Sequence, residues 1–298
     1  ISGVTYWRAL RPWGDLHRMG LINLKIFAGK MNDHELFACD VLFVSMPRNK
    51  ELQRLFQVRK SVGVKVWVDI DDDVTCVPVH NQMFSVLKAA GNNVLEMIGM
   101  ADIVSFSTEN LKESLEKHCT GYRFVLPNCI SESEIAPKLN INKRVMWRGS
   151  YSQLRDVWTN NNVYEYLVKN DLEFFFFGAA PYWIDNPTWS DWSHPLQYID
   201  FIKRSAPGFM WKPLEYNEFN KSKSNIAVLE GLMAGALTIA DHRTGEGWQE
   251  CIGAEDAVNF SEYERKIRHK RTIEFVMEYY NSATINKKRM GLLKLVTS

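Results

Sequence analysis

Residues 220–241 read NKSKSNIAVLEGLMAGALTIAD. A polar run turns into an apolar helix pattern, stops at a glycine and restarts at once as an apolar strand. Ser222 or Ser224 can cap a helix that starts near Asn225. Ala227, Leu229, Leu232, Met233 and Ala234 give that helix an apolar face, and Gly235 ends it. The N-terminus of such a helix is a ready anion site, because its free N–H groups and its dipole point at the ligand, and Lys223 adds a full charge. Glu230 falls in mid-helix among apolar residues, where a carboxylate must have a partner, and a ribose diol is one such partner. An ordinary helix with a surface glutamate fits the same letters equally well.

Around this stretch the second half of the chain alternates strands and helices. KRVMWRGS (143–150), LEFFFFGA (172–179), PGFMWKPL (207–214) and GALTIAD (235–241) read as strands, with helices expected at 152–168, 224–235, 262–280 and 284–296. The first half has the same style. LINLKIF (21–27), DVLFVSM (40–46), VKVWVDI (64–70), DIVSFST (102–108) and YRFVLP (122–127) are short, rich in Val, Ile and Phe, and read as buried strands. Helical patterns lie between them at 48–63, 83–101 and 108–119, the last capped by Thr108. Strand–helix alternation implies right-handed βαβ units and parallel sheets. LPNCISESEIAPKLNINK (126–143) is polar and broken by two prolines, so the domain junction is placed there, giving domains 1–128 and 129–298. Two such domains would face a central ligand cleft, towards which both sheets turn the C-terminal ends of their strands.

The totals agree with this division: 298 residues suit two domains of ordinary size, and 46% hydrophobic with 24% charged residues is normal for a soluble globular protein. Net charge is +1, so the chain is no obvious polyanion binder, although Glu262–Ser298 carries nine Lys/Arg against four Glu. Five scattered cysteines (Cys39, Cys76, Cys119, Cys129 and Cys251) form no CxxC pair, which argues for reduced thiols in a cytosol rather than a disulfide framework or a zinc knuckle. No apolar run approaches the roughly 20 residues needed to span a bilayer, and no signal peptide is visible.

Two further stretches bear on chemistry. KVWVDIDDD (65–73) ends an apolar run in Asp69, Asp71, Asp72 and Asp73, which fits a metal site, a sugar site or a solvated turn. PYWIDNPTWSDWSHP (181–195) reads as a loop and carries Trp183, Trp189 and Trp192, suited to stacking on sugars or bases.

KSNIAVLEGLMAGALTIA (223–240) resembles the signature of GT-B glycosyltransferases, especially the large retaining family 4, in which a helix carrying Leu-Glu leads into the strand behind the nucleotide-sugar. VLPNCI (125–130) looks like the junction between the two domains of that family, and VMWRGSYSQLRDV (145–157) resembles the first strand and loop of its donor domain. VWVDIDDDVTCVP and GVTYWRALRPW resemble segments of divergent glycosyltransferases encoded by tailed phages. The resemblance implies an α/β fold of two Rossmann-like domains and a sugar transfer from a nucleotide-diphosphate donor to a hydroxyl.

Carried over residue by residue, it gives Glu230 the donor ribose and sets Lys223, Ser224 and Asn225 at the helix end facing the diphosphate. Arg148, Gly149 and Ser150 line the opposite loop, Arg155 reaches the same phosphates, Trp211 or Tyr216 flanks the base, and Arg8, with Tyr6, lies near the donor where the first strand meets its helix. Asp71 or Asp72 contacts the acceptor or serves as base, and His80 contacts sugar or acceptor. His242 and Arg243 follow the strand after the nucleotide helix. The family has two glutamates eight positions apart here, whereas the earlier position is Ser222 in this chain.

A GT-B site holds the diphosphate with the helix dipole and basic residues, so no cofactor and no metal is expected. The acceptors that fit are a hydroxymethylated pyrimidine in phage DNA, with RKIRHKR (265–271) on its backbone, and a glycan, a lipid-linked sugar or a protein side chain. A phage enzyme of this kind would act in the host cytoplasm. A non-catalytic nucleotide- or glycan-binding protein and a sugar-nucleotide epimerase are the rival readings. A dinucleotide oxidoreductase is disfavoured because no GxGxxG follows a strand.

Overall fold

The computed structural model describes residues 3–27, 34–35, 38–191, 195–240 and 247–297. Trp192, His242 and Arg243 lie outside the described residues. The chain divides into two compact units. One comprises the chain up to Val77, Phe84–Asn128 and the segment from Ser282; the other comprises Pro78–Met83 and Cys129–Asn281.

The first unit is built on four parallel strands in sequential order, β1 (Val41–Ser45), β2 (Lys65–Ile70), β3 (Ile103–Phe106) and β4 (Tyr122–Val125). Every residue of β2 after Lys65 is buried, as a parallel strand covered on both faces requires. One face packs on α2 (Glu51–Val62), α3 (Phe84–Met100) and α4 (Glu109–Leu115) through Phe56, Val94, Met97, Ile98, Leu111 and Leu115. Thr108 caps α4 by accepting from the Leu111 amide at 3.2 Å. The last helix of the chain belongs to this unit, where its Arg289 guanidinium lies 6.0 Å over the Trp13 ring. Trp13 in turn meets Phe43 and Trp67 edge-on.

The structure corrects the expected start of the chain. Residues 21–27 form no strand; each is exposed or half-buried, so this β-prone run has no sheet face to fill. The segment from Gly3 to Arg18 is helical throughout, with a π turn at Tyr6–Leu10 running into α1 (Arg11–Arg18), and Arg8 therefore sits inside a helix rather than at a strand-to-helix junction. Helical spacing explains the change: Arg11 stacks 4.6 Å over the ring of Trp7, one turn earlier.

The second unit holds a five-stranded parallel sheet. Its strands are β5 (Arg144–Gly149), β6 (Glu173–Gly178), β7 (Trp189–Ser190), β8 (Phe209–Lys212) and β9 (Leu237–Ala240), in the order β7-β6-β5-β8-β9. The helix expected over 152–168 is two, α5 (Leu154–Thr159) and α6 (Asn161–Lys169), broken at Asn160, whose side chain donates to the Asp156 carbonyl at 2.8 Å. Helices α7 (Pro195–Ser205) and α8 (Ile226–Ala234) pack together, and all nine residues of α8 are buried. The helix ends at Gly235, whose φ of 72° needs glycine; a Cβ there would also sit 2.3 Å from the Lys138 carbonyl oxygen. Helix α9 (Ala254–Asn259) and the long α10 (Glu262–Tyr279), capped by Ser261 and Glu264 in a capping box, complete the unit. Among the described residues no helix is long and apolar enough to cross a membrane.

Candidate functional site

Strand order locates the site. In the second sheet the chain runs outward from β5 to β6 and β7, then returns to the other side of β5 to lay down β8 and β9. The switch point lies between β5 and β8, and open α/β sheets bind ligands outside the carboxyl ends of strands at that place. Met146 pairs with Met210 across these two strands. Side chains alternate, so Arg148 and Lys212, each two residues further on, share one face with that pair. Helix α8 packs on the same face: a Cβ on Gly231 would lie 3.5 Å from Met210 Cγ.

Arg148 and Glu230 meet there. Arg148 Nε donates to Glu230 Oε2 at 2.7 Å, and the Tyr198 hydroxyl donates to Glu230 Oε1. Glu230 is 1% exposed. Burial and the Glu230 carboxylate hold the Tyr198 phenol well above its ordinary value, so it remains a donor. Lys212 closes β8 at 7% exposure, and among the described residues no carboxylate lies within ion-pair distance of its ammonium. Burial pushes its pKa down from 10.5 to about 7, with Arg148 and Lys223 lowering it further and Asp156 and Glu230 opposing. Asp156 is itself pushed up by burial, against the pull of Lys212 and of its bonds from the Glu215 amide at 2.9 Å and Asn220 Nδ2 at 2.8 Å. The result is a buried, net-cationic cluster beneath the N-terminus of α8, suited to an anion.

The expected donor residues gather here unevenly. Asn225 is the N-cap of α8, and Lys223 lies two residues before it, its ammonium 4.2 Å over the Phe219 ring. Ser224 is half-buried beside them. The Ser150 amide donates to Gln153 Oε1 at 3.3 Å. Arg155 is exposed on α5 and makes no hydrogen bond to the cluster among the described residues. Glu230, expected on a ribose, has both carboxylate oxygens engaged by protein donors. Trp211 is corrected: it is 3% exposed, edge-on to Phe174 at 5.4 Å, and offers no free face to a base. Tyr216 is exposed, with the Lys221 ammonium 5.2 Å over its ring. Gly149 is required by contact: a Cβ would lie 2.3 Å from Cζ2 of the core residue Trp147 and 2.8 Å from Gln153 Oε1. Gly149→Ala is expected to cost roughly 1–3 kcal/mol of stability, read as a lower urea midpoint at unchanged slope; an unshifted midpoint would show that Trp147 yields freely.

In the first unit the acidic run divides. Asp69 is spent on structure: Arg8 donates to it from Nε at 2.9 Å and Nη2 at 2.6 Å, and the Ser105 hydroxyl at 2.6 Å. Arg8 also donates to the Leu126 carbonyl at 2.6 Å and is 2% exposed, so the expected donor role of Arg8 is replaced by a buried tie between the N-terminal helix, β2 and the chain after β4. Asp73 accepts from the Thr75 amide and hydroxyl and from Ser114. Asp71 is buried, and Asp72 faces Arg48 at 3.9 Å. His80 groups with the second unit, not the first, and its Nε2 lies 2.8 Å from Glu215 Oε2. Among the described residues no group of three or more His, Cys, Asp or Glu is arranged to hold a metal ion.

Of the tryptophan loop, Trp183 is tied down: its Nε1 donates to Asn161 Oδ1 at 3.2 Å and its ring meets Trp158 and Tyr182 edge-on. Trp189 is half-exposed in β7. The basic run 265–271 is largely paired internally. Arg265 is buried, donating to the Asn140 and Asn142 carbonyls, while Lys266 pairs with Glu262, Arg268 with Glu250 and Lys270 with Glu274.

Sequence reasoning missed Lys212, Tyr198 and Asp156. A lysine closing the apolar strand FMWK (209–212) was the one available signal, since a buried strand end rarely carries a charge without use for it.

No protein-family model matches the chain, and no curated protein matches it in sequence. Solved structures do match. TarM superposes with a TM-score of 0.63 at 12% identity, over 85% of this chain and 54% of its own. The sucrose-phosphate synthase of Thermosynechococcus elongatus gives 0.58 at 14%, and the UDP-forming α,α-trehalose-phosphate synthase of Burkholderia xenovorans 0.57 at 10%; each match covers 87% of this chain and 74% of the other. This chain thus spans about half the length of TarM. These likenesses show the fold, that of the GT-B glycosyltransferases.

Proposed function

We propose that the chain is a glycosyltransferase that takes a sugar from a nucleotide-diphosphate donor and passes it to a hydroxyl. The observation that carries this reading is the buried cluster of Arg148, Lys212, Glu230 and Tyr198 at the switch point of the second sheet, under the N-terminus of α8. A diphosphate offers two adjacent anionic groups, one for a guanidinium fork and one for the helix end and an ammonium. The fold adds support, and one matched structure is UDP-forming, which puts a UDP-sugar first among donors to test.

Asp71 and Asp72, at the C-terminal end of β2, are the candidates for acceptor contact and proton removal. The acceptor is a hydroxyl of a glycan or glycosylated lipid. The pairing within the basic run 265–271 weakens the case for a DNA base, which stays as one arm of the test.

The test is a thermal-shift screen against UDP-, GDP-, ADP- and CMP-sugars with and without EDTA, followed by nucleotide release with glycan and hydroxymethylcytosine-DNA acceptors. A donor at a hundred times its Kd is expected to stabilise by about 2.7 kcal/mol, undiminished by EDTA. Stabilisation without nucleotide release would favour a nucleotide-binding protein that transfers nothing, a reading to which Ser222 at the first glutamate position gives some support. No shift with any nucleotide would overturn donor binding.

A further inference from the structure

Lys212 is out of place as a structural residue. It ends a strand of otherwise apolar side chains, it is nine-tenths buried, and it faces two other cations, Arg148 on β5 and Lys223 ahead of α8. Among the described residues the charged and titratable groups around it are those two, Asp156 on α5 and Glu230 on α8, with Tyr198 on α7 bound to Glu230. The carboxylates are committed elsewhere: Glu230 to Arg148 and Tyr198, Asp156 to the Glu215 amide and Asn220. Among the described residues this buried ammonium has no counterion within ion-pair distance, and an anion entering at the N-terminus of α8 supplies one.

We infer that Lys212 is a proton-coupled anion ligand of this site, unprotonated in part of the free protein and protonated when a phosphoryl anion binds. The inference deepens the donor reading, because it assigns to the donor diphosphate both a ligand and a pH dependence.

The signs follow from linkage. In the free protein the folded-state value is lowered, to about 7 from 10.5, so between those two values the unfolded chain holds more protons and this group makes stability rise with pH. Anion binding does the reverse. Below pH 7 Lys212 is already charged and affinity is flat. Above pH 7 each binding event must take up a proton, and affinity falls about tenfold per pH unit until the bound-state value is passed.

Calorimetric titration of the whole chain at pH 6, 7, 8 and 8.5, in buffers of differing ionisation enthalpy, tests this. The probes are the four nucleotide-sugars of the screen and sodium sulfate, whose charge is constant over this range, with sodium chloride at matched ionic strength as control. Expected for wild type is a Kd roughly thirtyfold weaker at pH 8.5 than at pH 6, with proton uptake near one-half per anion at pH 7 and near one at pH 8. Lys212→Met should bind weakly with no pH slope, Lys212→Arg should bind with no slope and no proton uptake, and Asp156→Asn should keep the slope. Wild-type binding independent of pH, or a slope that survives in Lys212→Met or vanishes in Asp156→Asn, overturns the assignment. A pH-dependent sulfate response without any nucleotide-sugar response keeps Lys212 as an anion ligand and overturns the donor reading alone. Absence of binding by all probes overturns both.

Discussion

Glu230→Ala is expected to lower stability by roughly 3–5 kcal/mol, because it removes the buried carboxylate that a guanidinium and a phenol now share. For a unit of this size that corresponds to a fall in Tm on the order of 10 °C. The penalty is large because the site is dry: Glu230 has almost no contact with solvent, so water cannot replace the lost acceptor. Arg148 would then lie beside Lys212 with Asp156 as the remaining carboxylate to offset their repulsion, which lowers the pKa of Lys212 further. Glu230→Gln keeps the shape and one acceptor oxygen, and should cost less than the alanine variant. Thermal denaturation of the three proteins at pH 7 checks the order wild type, Gln, Ala. An alanine variant as stable as wild type would mean that the Arg148–Glu230 pair contributes nothing, and a donor site built around it would lose its frame.

This pair also marks where the sequence was legible and where it was not. The alternation of β-rich runs with helical patterns identified two parallel α/β units, because strands covered on both faces read as near-continuous apolar runs, and β2, β3, β8 and β9 each carry only one or two polar residues. The helix and its glycine stop were legible because the apolar run and Gly235 each have a local cause, whereas the cap expected at Ser222 or Ser224 falls at Asn225, which makes no side-chain capping bond. The run 21–27 was misread because β propensity is indifferent to whether a sheet is there to receive it. Glu230 was correctly singled out as a carboxylate needing a partner, but its partners come from 82 and 32 residues away in the chain, and no local pattern names them. Lys212 left only the signal of a charge closing an apolar strand, for a related reason. Its burial depends on β8 lying between β5 and β9, a strand order that follows from topology and not from the letters of the strand. The acidic run 69–73 looked like one feature because its members are adjacent, whereas strand alternation and the following turn send Asp69 to Arg8 and Asp73 to Thr75 and Ser114.

Arg8 gives the second large effect, and one that separates a structural from a ligand-binding role. Arg8→Met is expected to destabilise by roughly 3–5 kcal/mol, since Asp69, 2% exposed, would keep among the described residues only the Ser105 hydroxyl as a neutral donor. A donor-binding arginine behaves differently: its loss weakens the ligand and spares the fold. The two roles part on measurement of both quantities in one variant, with nucleotide-sugar affinity taken well below the lowered Tm. The structure calls for a large loss of stability with affinity unchanged, because the Arg8 guanidinium is spent on Asp69 and the Leu126 carbonyl. The double variant Arg8→Met/Asp69→Leu removes both charges and should be more stable than either single variant, as replacement of a whole buried ion pair by apolar groups costs far less than stranding one member. Recovery stays partial, because the Leu126 carbonyl has still lost its donor. A double variant no better than the additive sum, or an Arg8→Met protein that keeps its Tm and loses its ligand, would return Arg8 to the donor site and leave Asp69 without its counter-charge.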